Sequence, residues 1–279
     1  MLKVGNIAVY LLLSGFLMAA YVTSAVNIDR FRDEMSPGET VSTLIIAPEA
    51  LEIASGEFRQ VLADYLLLKA CAFLGGRNKI KGPDMKVVAA LFEQSLHLDP
   101  YFFQTCYYVQ AFLTWRGAMV EKAIDLLKIS RKHRYWDWQP GYYIGFDYFY
   151  FLKDNNKAAK QLMETAEIPG APPIISSLAA RMAHKSGQTE LAIAFLQTMY
   201  DRAKDESTRT FLQDRIKAHT GILVLEKAVR LFRLKYGYIP GSLDDLVSKG
   251  IILELPENPY GDRYIYEPET GRVFFDRIR

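Results

Sequence analysis

Glu121-Lys-Ala-Ile-Asp-Leu-Leu127 and Gly187-Gln-Thr-Glu-Leu-Ala-Ile-Ala-Phe195 decide the fold, because their pattern returns along the chain. Val88, Ala123, Ala158 and Ala192 follow one another at intervals of 35, 35 and 34 residues. Four residues after each stands a large apolar side chain: Phe92, Leu127, Leu162 and Leu196. Seven after each stand Ser95, Ser130, Thr165 and Met199. Gly117, Asp154-Asn155-Asn156 and Ser186-Gly187-Gln188 supply turns ahead of the alanines, and Pro100, Pro140 and Pro173 fall near the boundaries. A period of about 34 residues with this pattern predicts a helix–turn–helix repeat. Small residues let paired helices approach, and large ones fill the remaining gap. One such unit cannot bury its apolar face, so several must stack.

Outward from this centre, Glu57 to Phe73 carries Phe58, Val61, Leu62, Tyr65, Leu66, Leu68 and Ala72 at helical spacing, which predicts a buried helix. Asp64 within it is read as a buried acid in need of a partner. Residues 29–56 contain Ser36-Pro37-Gly38, Ala47-Pro48 and Ser55-Gly56, the punctuation of a linker, with one short ordered piece at Val41–Ile46.

Ala90-Leu-Phe-Glu-Gln-Ser-Leu-His-Leu-Asp-Pro100, Tyr143-Ile-Gly-Phe-Asp-Tyr148 and the two stretches quoted first resemble tetratricopeptide (TPR) repeats over residues 57–218. The Leu98-Asp99-Pro100 ending is the most specific piece. The likeness implies an α-solenoid with a ligand groove. Its groove-lining positions map to Tyr108, Phe112, Trp115, Arg116, Tyr143, Asp147, Tyr150, Arg181, His184 and Lys185. Aromatic and arginine anchors are what such surfaces use. The long connector Gly75–Asp84 and the run Ile168-Pro169-Gly170-Ala171-Pro172-Pro173 depart from the pattern.

Val4 to Val26 contains no charged residue. A spanning helix needs about 20 such residues, and this run exceeds a signal-peptide core. Residues 1–28 are therefore read as an uncleaved single-pass anchor through residues 4–26. The bulk of the chain is placed on the extracytoplasmic side of the cytoplasmic membrane, because so short a tail ahead of the run behaves as an uncleaved signal. Lys3 against Arg30 and Arg32 leaves the positive-inside balance nearly even.

Residues 219–279 read differently. His219 to Tyr236 is amphipathic, Gly237 stops it, and Ser242 with Asp245 marks a short helix closed by Gly250. Alternating Arg263–Glu267 and Arg272–Asp276 flank Pro268-Glu269-Thr270-Gly271, a hairpin signal. This small α+β module, through Tyr236-Gly-Tyr-Ile-Pro-Gly-Ser-Leu-Asp-Asp-Leu246 and Leu255-Pro-Glu-Asn-Pro-Tyr-Gly-Asp262, is similar to the C-terminal half of type II secretion major pseudopilins. The prepilin glutamate is missing: Tyr10 stands five residues after Gly5. That likeness implies a calcium loop, for which Glu254, Glu257, Asn258 and Asp262 are the available donors. Calcium needs 6–8 oxygens, so the reading here is solvated turn residues and no metal.

Composition narrows the chemistry. The 34 basic and 32 acidic residues give a net charge of +2, which builds no field for a nucleic acid. Arg131-Lys-His-Arg134 ahead of Tyr135-Trp136 ends a helix, where positive charge complements the dipole. No histidine stands at metal-ligand spacing with another ligand, and neither a nucleophile elbow nor a phosphate loop is present, so no cofactor is expected. Cys71 and Cys106 are expected as buried free thiols. Of 36 aromatic residues, 17 fall between Tyr101 and Phe151, more than helix packing needs, so some should be exposed.

The expectation is a mainly α chain: transmembrane helix, TPR-like α-solenoid, small C-terminal α+β module. Its expected work is that of a scaffold, holding a protein or peptide partner in the groove, as an accessory of a secretion or pilus-like envelope machine. The alternative is a cell-envelope glycan-binding protein using exposed aromatics. Third comes an enzyme with a dispersed site, for which His184 and Asp64 are the candidates.

Overall fold

The computed structural model describes residues 13–24, 48–75, 82–261 and 263–275. The chain is mainly helical, with one two-stranded sheet, and divides into two compact units, Met1–Asp99 and Pro100–Arg279. Val41–Ile46 lies outside the described residues.

In the first unit, α1 (13–24) is the described part of the uncharged run. Among the described residues no helix is long and apolar enough to cross a membrane. Helix α2 (Pro48–Ser55) occupies the end of the expected linker and buries Leu51. A single 3₁₀ turn (Gly56–Phe58) leads into α3 (Arg59–Gly75), which packs against α4 (Gly82–Leu98). Ser95 Oγ donates to the Ala63 carbonyl at 3.0 Å and pins the pair. The expectation that α3 is buried all round does not hold. Ala63, Leu66, Leu67, Ala70 and Leu74 are buried, but Phe58, Val61, Tyr65 and Leu68 face solvent. Asp64 lies on the open side, exposed, and not in the core. A helix apolar around its whole circumference carries no signal saying which face is covered.

The second unit starts with α5 (Phe103–Tyr108), which widens into a π-helical segment at Val109–Thr114. Then follow α6 (Val120–His133), α7 (Trp138–Tyr150), α8 (Asn155–Ala166), α9 (Pro173–Lys185), α10 (Thr189–Arg202) and α11 (Glu206–Tyr236). From α6 onward each helix packs on the next in sequence. Caps set the starts: the Asp137, Asp154 and Asp205 carboxylates accept from the backbone N–H of Gln139, Lys157 and Thr208. The recurring positions are core in both units. Val88, Ala123, Ala158 and Ala192 are fully buried, as are Phe92, Leu127, Leu162 and Leu196 four residues on. Helices α7 and α8 come close at Gly141, against Thr165, and at Gly145, where an added Cβ would stand 2.6 Å from Leu162 Cγ.

Helix α11 is one continuous 31-residue helix where two pieces were expected. The core it serves changes along its length. Leu212 belongs with Ala158, Leu162, Ala183 and Leu196. Ala218, Ile222, Leu225, Val229 and Phe232 instead pack with Leu243, Leu246, Tyr264, Val273 and Phe275. Gly221 lets this second set close up. A Cβ there would overlap Tyr264 Oη, which donates to the Ala218 carbonyl at 3.2 Å. The short helix and the hairpin of the module are both present, but Leu243 and not Ser242 stands at the helix cap, with no side-chain cap bond. Helix α12 (Asp244–Ser248) is preceded by backbone N–H groups of Gly241 and Ser242 that donate to the Asp245 carboxylate. Strands β1 (Ile265–Glu267) and β2 (Arg272–Phe274) pair antiparallel, Tyr266 opposite Val273.

Candidate functional site

Helix α7 is built to keep two faces apart. Gly141, Ile144 and Gly145 are buried on one side, toward α8. On another side Trp138, Tyr142, Phe146 and Tyr150 recur every four residues. Residues four apart on a helix are neighbours, so the rings form a ladder. Their centroids are 6.2, 6.3 and 5.2 Å apart in order, and the last pair is stacked at 10°. Trp115, from the turn after the π segment, closes on its upper end at 5.2 Å from Tyr150 and 5.0 Å from Phe151. Trp115 is 55% exposed and Tyr150 41%. Lys153 Nζ lies over the Tyr150 ring at 5.1 Å. A second group stands beside it in sequence: Tyr108 stacks on Phe112 at 5.7 Å and the Arg116 guanidinium covers Phe112 at 5.5 Å.

Behind the ladder is a polar contact without water. Gln110 Nε2, within the π segment, donates to Asp147 Oδ1 at 2.9 Å. Asp147 is fully buried, and among the described residues Asp147 Oδ2 and Gln110 Oε1 find no partner. Burial pushes the Asp147 carboxyl up to about 7, against the opposing effect of the Gln110 bond. Burial likewise raises the neighbouring Tyr143 phenol to about 12, helped by Cys106.

The lower end of the ladder opens on a cleft of about 380 Å³. Trp138 and Tyr142 form one wall, Ile174 and Leu178 another, and Arg181 and Arg215 supply charge. Arg215 comes from α11 and is stacked against Tyr260 at 4.8 Å, Phe211 at 5.3 Å and Phe275 at 5.4 Å. Among the described residues nothing accepts a hydrogen bond from its Nε. Stacking occupies the faces of a guanidinium and leaves its in-plane donors for a carboxylate. Apolar walls with a few polar groups are the usual make-up of a binding pocket.

The ten residues mapped to the groove therefore sort into several places. Trp115 and Tyr150 join the ladder, Arg181 lines the cleft, and Tyr108, Phe112 and Arg116 form the second group. Lys185 lies over Phe149 at 5.6 Å, and Tyr143 is half-buried. Asp147 and His184 are buried and offer nothing to a partner. His184, expected at the surface or in the groove, sits between α9, α11 and β2. Its Nδ1 is 3.1 Å from Thr189 Oγ1, which donates to Glu226, and its ring meets His219 and Phe274. Burial lowers His184 to about 4 and His219 to about 3. Mapping the groove missed Trp138, Tyr142, Phe146 and Arg215. The first three had a signal, their spacing of four; Arg215 had none, because it arrives from a distant helix.

Comparison with protein-family models, with curated proteins and with solved structures finds no match.

Several other motifs have structural work. Arg134 donates to Asp137 Oδ2 from Nε at 3.0 Å and Nη2 at 2.7 Å, and to the Tyr101 carbonyl from Nη1 at 2.7 Å. Arg134 is thus spent inside the fold, while Lys132 of the same basic run is exposed. Asn258 donates to the Phe275 carbonyl and accepts from Tyr260 N–H, tying down the loop that the calcium reading invoked. Both cysteines are free; Cys106 is buried, and Cys71 only partly so.

Proposed function

We propose that the protein is a membrane-anchored scaffold that binds a segment of a partner protein along the α7 ladder, the segment's apolar side chains seated on the rings. The observation that carries this is the continuous ring array from Trp115 to Trp138, ending in a cleft with an arginine whose Nε finds no acceptor among the described residues. Aromatic residues and arginine are the side chains that dominate protein–protein recognition energetically. The order of packing, each helix on the next, supports a TPR-like stack as the frame that presents the array. The uncharged run at residues 4–26 supports a single-pass anchor with the repeats outside the cytoplasm. Service to a secretion or pilus-like machine rests on the pseudopilin likeness of residues 219–279. No catalytic step and no cofactor enters this proposal.

The test is affinity capture of the full chain from detergent-solubilised membranes, with Trp115→Ala and Tyr142→Ala as variants. A defined protein partner retained by the wild type and lost by both variants supports the proposal. Saccharide binding with no protein partner would replace it by the glycan reading. A reporter enzyme fused after Arg279 and active only in an oxidising compartment tests the placement.

A further inference from the structure

Helix α3 is apolar on two opposite faces and only one of them is covered. On the open face Phe58 is 74% exposed, Val61 66%, Tyr65 56% and Leu68 67%. Ala72 is exposed on the same line, which Phe58 starts from the 3₁₀ turn that leads into α3. From Phe58 to Ala72 the steps are 3, 4, 3 and 4 residues. That alternation is the 3.5-residue period of a coiled-coil seam, narrower than the stripe of a helix buried in a globule. With Phe58, Tyr65 and Ala72 as a positions, Val61 and Leu68 are d positions. Asp64 then falls at g and Lys69 at e. In a parallel two-stranded pair, g of one helix faces the e position five residues further along the other. Asp64 and Lys69 are five residues apart, so each copy's Asp64 faces Lys69 of the second copy, twice by symmetry. Among the described residues neither side chain has an ion pair or hydrogen bond within its own chain.

We propose that α3 is a homodimerisation helix, its open face paired in parallel with α3 of a second copy. A parallel pair leaves both N-terminal runs on one side, as two anchors in one membrane require. The helix is already folded against α4, so pairing does not bear the cost of helix formation that makes isolated short coiled coils unstable. Self-pairing satisfies the charges and the seam with one surface, which is what two-fold symmetry demands. The inference is independent of the ladder on α7.

The test uses the full chain in native membranes. Leu68→Cys is combined with Cys71→Ala, which removes the neighbouring partly exposed thiol. In a parallel pair identical d positions face one another, within disulfide reach. Mild oxidation should convert most of the chain to a species of twice the mass. Leu191→Cys, also exposed at 46%, serves as the collision control and should not convert. Lys69→Asp should weaken association about tenfold, the size expected of two lost and reversed ion pairs, and adding Asp64→Lys should restore it. Leu68→Glu, at a site exposed in the protomer, should abolish the pair while leaving the helix content of the protomer unchanged in far-UV circular dichroism. Cross-linking at Leu68→Cys no greater than the control would overturn the proposal. So would cross-linking indifferent to the charge swap, or a Leu68→Cys thiol shielded from a water-soluble maleimide by lipid while the chain stays monomeric.

Discussion

Gln110 Nε2 donates to Asp147 Oδ1 at 2.9 Å in a place no water reaches, joining the π-helical segment to α7. The contact is half made, because among the described residues Asp147 Oδ2 and the Gln110 carbonyl oxygen Oε1 have no partner. It joins the segment that ends beside Trp115 to the helix that carries Phe146 and Tyr150, so its strength bears on how rigidly the ladder is held.

The pH dependence of this contact has a definite sign. The folded Asp147 carboxyl titrates near about 7, against about 3.9 in the unfolded chain. Between those values the folded state holds the extra proton, so stability falls as pH rises from about 4 to about 7 and stays lowered above. Asp147→Asn removes the titration and can answer Gln110 Oε1 with an amide proton. It should be more stable than wild type at pH 8 by about 2–4 kcal/mol, and equal to it near pH 4. All three tryptophans lie in the second unit, so denaturant titration followed by tryptophan fluorescence reads this directly. Parallel pH profiles for the two proteins would contradict the assignment.

The buried histidines act in the other direction. Among the described residues both ring nitrogens of His219 are unpartnered, and burial lowers it to about 3 and His184 to about 4. Below about pH 6.5 the unfolded chain takes up protons that the folded one refuses, so stability drops as pH falls toward 4. His219→Leu should keep the second unit folded at pH 4.5, where wild type is weakened by about 2 kcal/mol or more. Equal acid midpoints in far-UV circular dichroism would count against it.

Gly145 measures the tightness of the α7–α8 contact. A Cβ would lie 2.6 Å from Leu162 Cγ and 2.7 Å from Leu162 Cδ2. Gly145→Ala should therefore destabilise by about 1–3 kcal/mol despite the better helix propensity of alanine. Since Leu162 is fully buried, Leu162→Ala leaves a cavity that the new methyl partly fills. The double variant should be more stable than the sum of the two changes requires; strict additivity in a melting cycle would show that the helices shift instead.

Arg215 separates charge from packing in the cleft. Arg215→Met keeps the aliphatic contact with Tyr260 and Phe275 and removes the donors. Once a partner is captured, its affinity should fall about tenfold or more if a carboxylate docks there, with little change in melting temperature. Unaltered binding would confine the partner to the upper ladder.

Much of the helical register was legible. A small residue followed four places on by a large one marks positions that are fully buried at Ala123, Ala158 and Ala192 and their followers Leu127, Leu162 and Leu196. Such positions tolerate little else, because volume at a helix contact is set by both partners. The hairpin at Pro268–Gly271 was equally plain, since alternation around turn residues has few other outcomes. Less legible was the groove. Reading α7 at Tyr143 and Asp147 selected a strip one residue round from the ring array that Tyr150 joins, and burial of Asp147 and His184 cannot be read from spacing when polar side chains have partners outside their own helix.

Sequence alone determined the helical content, the recurring contacts between neighbours, the C-terminal hairpin and the uncharged N-terminal run, because each depends on side chains close together in the chain. Tertiary structure decided which face of α3 stays open and that α11 runs unbroken past Ala218. It also brought Arg215 to the rings of α7 and shut His184 and His219 away from water. Those outcomes depend on which distant surfaces cover one another, and no local pattern encodes the partner of a helix that is apolar all round.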